Sequence, residues 1–263
     1  MRQAQASILY NDAIGPAYFR MGIAWPGEAS EPGQFVMVQV ADRGGILLRR
    51  PFSVSALIRS NGKLIGIELL YKVVGAGTLL MSQGRKDDQL DVLGPLGKGF
   101  DWKNFSGSNY LVAGGIGVAP IRFLAEHLAG MGRNIDHCHV FLGGRSREDL
   151  LCTQDFERLA IPVTLTTDDG SAGDHCLVTH PLDVAVQRNR PNAIYACGPT
   201  PMLACVAGIA RKHQVPCYVS IETIMACGMG ACLGCAMVSR KDTDRYLHAC
   251  LDGPVFDVNQ LKF

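Results

Sequence analysis

The chain has 263 residues, 48% of them hydrophobic and 19% charged, and a formal net charge of +1. It is long and apolar enough for two modest domains with a small appendage. A near-zero charge without a long basic run argues against nucleic acid or an anionic membrane as a partner.

The first residues, MRQAQASILYNDAIG, lack the apolar stretch of a signal peptide, and no segment offers eighteen unbroken apolar residues. A soluble, cytoplasmic protein is the expectation. Residues 1–102 read as β structure. GQFVMVQV alternates after the breaker Pro32-Gly33, PFSVSALI and KLIGIELLYKVV flank the turn SNGK, and Gly and Pro punctuate DVLGPLGKGF. Short strands between turns predict a small barrel or sandwich.

Two stretches in this region suit phosphate. RRPFSVS places Arg49 and Arg50 directly before a strand, where guanidinium groups can grip a pyrophosphate; a solvated basic pair is the plainer alternative. YKVVGAGTLLM has Gly75 and Gly77 for close backbone approach, with Thr78 expected to cap a helix begun by TLLMSQ. A Gly-x-Gly-Thr turn alone often only caps a helix; the two stretches together say more.

From residue 109 strands alternate with helices. NYLVAGG, HCHVFLGG, IPVTLTTDDG, NAIYACGP and VPCYVSIE read as strands, while APIRFLAEHLAGMG, EDLLCTQDFERLA and TPMLACVAGIARKH read as helices. That rhythm predicts a doubly wound parallel sheet. LVAGGIGVAPI sits at a strand-to-helix turn, with Gly114, Gly115 and Gly117 departing from G-x-G-x-x-G. No acid is clearly placed to hold an adenosine ribose, and GGRSRED offers Arg145 and Arg147 beside Glu148 and Asp149, so NAD and NADP both stay open. In YACGPTPML, Cys197 ends a strand and Gly198-Pro199 turn; the strand ends line the crevice, so Cys197 is expected to face a ligand, against the alternative of a core thiol.

The domain boundaries are expected at 1–102, 103–222 and 223–263. The last unit is too small for a core of its own and calls for a metal or disulfides. It carries Cys227, Cys232, Cys235 and Cys250, spaced C-x4-C-x2-C-x14-C. This is the plant-type spacing of a [2Fe-2S] cluster. Gly228, Gly230 and Gly234, with Ala226 and Ala231, let the backbone wrap closely enough to aim N–H groups at sulfur. A structural zinc site more often uses two close pairs, and disulfides do not suit a reducing compartment. Cys138, Cys152, Cys176, Cys205 and Cys217 are scattered singly and read as buried reduced thiols.

RPFS, GAGT, GGIGVAP, CGPTPM and the terminal cysteines occur in one order. The chain resembles the ferredoxin–NADP reductase superfamily and, more closely, the electron-transfer subunits of the two-subunit, NAD-linked dihydroorotate dehydrogenases, over essentially its whole length. The resemblance implies a multidomain β plus α/β architecture: an FAD-binding Greek-key β-barrel, a Rossmann-like NAD domain and a C-terminal [2Fe-2S] domain. It assigns Arg50, Pro51, Phe52, Ser53, Leu70, Tyr71, Lys72, Gly77 and Thr78 to FAD. Cys197, with Gly198 and Pro199, would border the nicotinamide, with Glu222 facing the same region. Gly114, Gly115 and Gly117 complete the NAD set. No protein group acts as catalytic acid or base, because the flavin carries the chemistry. The implied partner is an FMN-containing subunit that oxidises dihydroorotate in pyrimidine biosynthesis, in a heterotetramer of two of each chain. The rival is a reductase subunit coupling NAD(P)H to ferredoxin or to sulfide or polysulfide. Four intact cysteines favour the first reading, since some relatives carry aspartate at one ligand position. A zinc-stabilised adaptor without activity is the non-enzymatic alternative. Cys176 stands where such relatives are expected to have glycine.

Overall fold

The computed structural model describes residues 1–40, 46–103, 105–242 and 244–263. Its first layer is a closed antiparallel barrel of β1 (Arg2–Gly15), β2 (Tyr18–Ala24), β3 (Phe35–Gln39), β4 (Arg50–Ser60), β5 (Lys63–Lys72) and β6 (Gln89–Leu96). The order is β1-β2-β5-β4-β3-β6, so β2 pairs with β5 and not with β3, a Greek-key path. Alternate residues point inward: Met21, Ile23, Val36, Val38, Val54, Ile67, Leu69, Tyr71 and Val92 fill the interior. The SNGK hairpin closes with Asn61 and Gly62 both at positive φ, the geometry whose twist matches the flanking strands. A short helix, α1 (Ala76–Ser82), bridges β5 to β6.

The second layer is a sheet of β7 (Asn109–Gly114), β8 (Cys138–Gly144), β9 (Val163–Thr167), β10 (Asp174–His175), β11 (Ala193–Cys197) and β12 (Cys217–Ser220), all parallel. In the order β10-β9-β8-β7-β11-β12 the winding reverses between β7 and β11. Helices α2 (Val118–Gly130) and α3 (Thr153–Arg158) bury Ile121, Leu124 and Phe156 on one face. Helices α4 (Thr179–Arg188) and α5 (Thr200–Lys212) bury Leu182, Val186, Leu203 and Val206 on the other. This is the doubly wound arrangement the alternation implies.

One local expectation fails, and one helix has no counterpart among the expected elements. EDLLCTQDFERLA is not one helix: a 3-10 turn at Arg147–Asp149 is followed by Cys152 in the left-handed region (φ 63°) before the six-residue α3. The break turns Asp149 and Leu151 inward, where both are buried. Helix α4 goes unread in the sequence because its exposed face is polar and Pro181 sits in its first turn.

The last forty residues form a hairpin, β13 (Ala236–Val238) with β14 (Tyr246–His248), and then β15 (Val255–Asp257), which adds antiparallel to β12. They bury no separate core. Met225, Cys235, Leu247, Cys250 and Phe256 share one apolar cluster with Met37 and Leu96 of the barrel and Val219 of the sheet. Among the described residues no helix is long and apolar enough to cross a membrane.

Candidate flavin, nucleotide and iron–sulfur sites

Strands β4 and β5 pair from Val54↔Leu69 to Ser60↔Lys63, and upstream of that they part. Arg50–Ser53 then pair only with β3, and Leu70–Lys72 only with β2. The residues expected at the flavin therefore line two lips of one gap in the barrel wall. Their side chains divide. Tyr71 points into the barrel, donating to Asn11 Oδ1 at 2.9 Å and meeting Phe52 edge-on. Leu70 packs outward against the nucleotide-binding sheet, and Lys72 donates to Asp149 at 3.2 Å and Tyr18 at 2.7 Å.

The arginine pair also divides. Arg49 bridges Asp91 of β6 at 2.6 Å, and these hydrogen bonds hold the Asp91 carboxyl below its usual range. That side chain is occupied in closing the barrel. Arg50 instead lies over the start of α1: its Nε would be 2.9 Å from a Cβ at Gly77. Only a glycine lets the guanidinium and the helix start come this close. Thr78 is not the cap residue expected; it stands at the third helical position, and its Oγ1 accepts from the N–H of Val74 at 2.9 Å. The hydroxyl thereby fixes the turn entering α1.

At the reversal between β7 and β11 the GGIG and CGP turns meet. A Cβ at Gly117 would lie 2.4 Å from the Cys197 carbonyl oxygen, and one at Gly198 would lie 3.1 Å from the Gly114 backbone. These glycines serve loop-on-loop contact as much as any ligand; Gly115 takes a positive φ of 52° with open space around it. Cys197 is 9% exposed, and burial pushes its thiol up to about 12 against a lowering contribution from Ser220. It borders the crevice as a neutral group within the apolar cluster. Pro199 and Glu222 are exposed at the same strand ends. Arg147 is spent on the Ser171 carbonyl at 2.9 Å, and Asp149 pairs with Lys72 at 3.2 Å and more loosely with Arg145 at 3.6 Å, whose side chain is 79% exposed.

The four C-terminal cysteines gather by halves. Cys235 and Cys250 are buried with sulfurs 3.3 Å apart. Cys227 is half-buried and Cys232 exposed. Burial raises the Cys227 thiol, but N–H groups of Met229, Cys232 and Ala231 outweigh it and bring it to about 6; the Cys232 N–H reaches the sulfur at 3.4 Å. Burial and the neighbouring Cys235 thiol push Cys250 up to about 12. Among the described residues no three such side chains close into a finished metal-binding group. The donor set nonetheless fits a [2Fe-2S] cluster: three sulfurs on one wrapped loop and a fourth returned by the β13–β14 hairpin, backbone N–H groups aimed at sulfur, and Gly228 and Gly230 at positive φ. Cys138 and Cys217 are buried thiols as expected, whereas Cys205 is exposed and Cys152 and Cys176 are intermediate.

A buried ion network between the two larger layers escapes the sequence reading. Glu68 of β5 accepts from Tyr10 at 2.7 Å and from Arg122 of α2; Arg122 also meets Asp155 of α3 at 3.3 Å, and Arg20 of β2 meets Asp155 at 3.0 Å. The available signal is a lone charge inside each apolar run, Glu68 in LIGIELLY and Arg122 in APIRFLA.

Comparison with known proteins agrees with this geometry. Residues 222–262 match the family described as the iron-sulfur cluster binding domain of dihydroorotate dehydrogenase B, and residues 111–208 match an oxidoreductase NAD-binding domain. The chain is 36% identical over 261 residues, 98% of both chains, to the dihydroorotate dehydrogenase B (NAD(+)) electron transfer subunit of Caldanaerobacter subterraneus subsp. tengcongensis. To that of Enterococcus faecalis strain V583 it is 34% identical, over 99% of this chain and 98% of the other. A chain of an NADH-dependent reduced ferredoxin-NADP oxidoreductase, solved in work on flavin-based electron bifurcation, superposes with a TM-score of 0.83 at 29% identity, covering 98% of this chain and 90% of that one. A ferredoxin NADP+ reductase from Neisseria gonorrhoeae with bound FAD and NADP shares the fold, with a TM-score of 0.67 at 15% identity over 81% of this chain and 92% of that one. With its two nucleotide-facing layers and its cysteine loop in one chain, the protein belongs to the family of electron transfer subunits of NAD(+)-linked dihydroorotate dehydrogenase B.

Proposed function

We propose that this chain is the electron-transfer half of a cytoplasmic dihydroorotate dehydrogenase, linking an FMN-containing, dihydroorotate-oxidising subunit to NAD+ in a heterotetramer of two of each chain. When bound, a [2Fe-2S] cluster supplies one-electron traffic and FAD converts single electrons into a hydride. Cys227, Cys232, Cys235 and Cys250 hold the cluster. Arg50 and the Gly77–Thr78 turn hold the FAD phosphates, with Pro51, Phe52, Ser53, Leu70, Tyr71 and Lys72 as the lips around it. Gly114, Gly115, Gly117, Cys197, Gly198 and Pro199 form the NAD crevice, with Glu222 at its rim. Domain boundaries near 102 and 222 accompany this division of labour.

The observation that carries the reading is the seat of the cysteine loop on the barrel. Gly228 packs on Met37, and Met37 pairs in register with Pro51 of the flavin lip. A short, dry path from cysteine loop to flavin lip is what an electron relay needs. Exposed Ile224, Met229, Leu233 and Leu251 surround the same loop and support docking of the partner there.

The likeness to the NADH-dependent reduced ferredoxin-NADP oxidoreductase favours the second reading, a reductase subunit serving ferredoxin or sulfur compounds. Anaerobic purification with the candidate partner separates the two. Flavin and iron–sulfur absorbance that bleach with both NADH and dihydroorotate support the dehydrogenase. Bleaching by NADH alone, with dihydroorotate inert in the complex, favours the reductase; a colourless zinc protein overturns both.

A further inference from the structure

Glu68, Leu70 and Lys72 alternate onto the face of β5 that looks at the nucleotide-binding sheet. Leu70 lies in the apolar seam with Tyr18, Leu111, Val118 and Cys197. Across that seam reaches Arg122, little more than one helical turn into α2 and 7% exposed. Its guanidinium donates to the Glu68 carboxylate and, at 3.2 Å, to Ser55 Oγ on the barrel side. On its own side it bridges Glu126 at 2.8 Å and Asp155 at 3.3 Å.

The placement is specific. Ser55 follows Ser53 by two residues on β4, and Glu68 precedes Leu70 by two on β5, so one guanidinium grips both strands just where the gap between them closes. Its helix begins directly after Gly117, whose backbone is pressed on the Cys197 carbonyl. A buried ion network of this kind adds little stability over apolar packing of the same volume. What it supplies is fixed separation, because each partner is left unpaired if the others move.

We infer that Arg122 is a positioning residue for hydride exchange between flavin and nicotinamide: it sets the distance from the β4–β5 lips to the GGIG and CGP turns without touching either ligand. The inference rests on the FAD and NAD sites proposed above. The cysteine loop, by contrast, seats on β3 and β6 through Met37 and Leu96. Loss of Arg122 therefore separates the two halves of the reaction, slowing hydride exchange and sparing one-electron transfer.

The test is Arg122→Met in the flavin- and cluster-loaded chain. Single-turnover bleaching of the flavin by NADH should slow by about 10- to 100-fold, the scale of a displacement near 1 Å. KM for NADH should stay within about threefold. The long-wavelength charge-transfer absorbance of the nicotinamide–flavin pair should be lost. Flavin content and the cluster's EPR spectrum should be unchanged, as should the rate at which dithionite-reduced protein passes electrons to a one-electron acceptor, and Arg122→Lys should recover part of the bleaching rate. In the chain without ligands, amide hydrogen exchange over residues 117–122 should quicken. The double variant Glu68→Gln/Arg122→Met removes the central ion pair together, leaving Asp155 paired with Arg20, and guards against misfolding; it should stay slow. Wild-type bleaching in either variant, or slowing in proportion to lost flavin, overturns the assignment. If wild-type protein is not bleached by NADH the functional reading fails, and the amide exchange still decides whether Arg122 fixes the seam.

Discussion

Met37 of β3 lies against Gly228, the residue after Cys227: a Cβ at Gly228 would come within 2.5 Å of Met37 Cγ. Gly228 is also at φ 72°, where a side chain is strained whatever the space. The cysteine loop can approach the barrel only because this position carries no side chain.

Gly228→Ala should therefore lift the loop from the barrel. The expected result is a several-fold fall in iron and sulfide bound per chain and about 1–3 kcal/mol of lost stability, the usual scale of overpacking. Flavin content should be nearly unchanged. Metal and sulfide analysis beside chemical denaturation checks this, and full cluster occupancy would refute the close seat.

Arg49 and Arg50, adjacent in sequence, should separate by assay. Arg50→Gln should weaken FAD by roughly 10- to 100-fold, the worth of charge-assisted hydrogen bonds. Arg49→Gln should leave FAD affinity alone and cost about 1 kcal/mol of stability. The Arg49 variant also has a pH signature. Because Arg49 holds the Asp91 carboxyl below its unfolded value, the bridge stabilises the fold above the ordinary carboxylate range. That contribution is lost as pH falls through the depressed folded value. Urea midpoints from pH 7 to pH 3 should drop less steeply in Arg49→Gln than in wild type; parallel curves would show that the bridge does not matter.

Gly117→Ala should force the GGIG and CGP turns apart, since the new methyl would meet the Cys197 carbonyl oxygen. KM for NADH should rise by about tenfold or more while flavin and cluster spectra stay intact. Titration of NADH against flavin bleaching reads it, and an unchanged KM would place the nucleotide elsewhere.

Cys197 should behave as a silent thiol. With its thiol pushed up to about 12, only on the order of one molecule in ten thousand carries a thiolate at pH 8. Iodoacetamide at pH 8, followed by peptide mass spectrometry, should label the exposed Cys205 well before Cys197 or Cys138. Early labelling of Cys197 would mean that the crevice opens to solvent far more than its burial allows.

The barrel, the parallel sheet and the cysteine set were legible because each rests on a short-range pattern: period-two alternation, strand–helix rhythm, ligand spacing. The first two strands are less distinct in sequence. The apolar residues of MRQAQASILYNDAIG do not alternate along its whole length, and on β1 only Ala6 and Ile8 are fully buried. Long-range choices were equally hidden. RRPFS does not say that Arg49 will turn to Asp91 while Arg50 turns to Gly77, because the deciding partners lie 42 and 27 residues away. Nothing in the polar run GGRSRED marks Asp149 as the residue drawn inward by Tyr18 and Lys72, which outweigh its burial and lower its carboxyl.

Strand β15 closes the exposed side of β12 with residues that follow the last cysteine by only a few positions. Assembly of the inorganic centre and protection of a sheet margin are thus achieved by the same piece of chain. The strap's own hold is the burial of Val255, Phe256, Val258 and Leu261. A substitution that prises those side chains from the shared core would therefore reach beyond the cysteine loop, leaving β12 as an unpaired edge open to other strands.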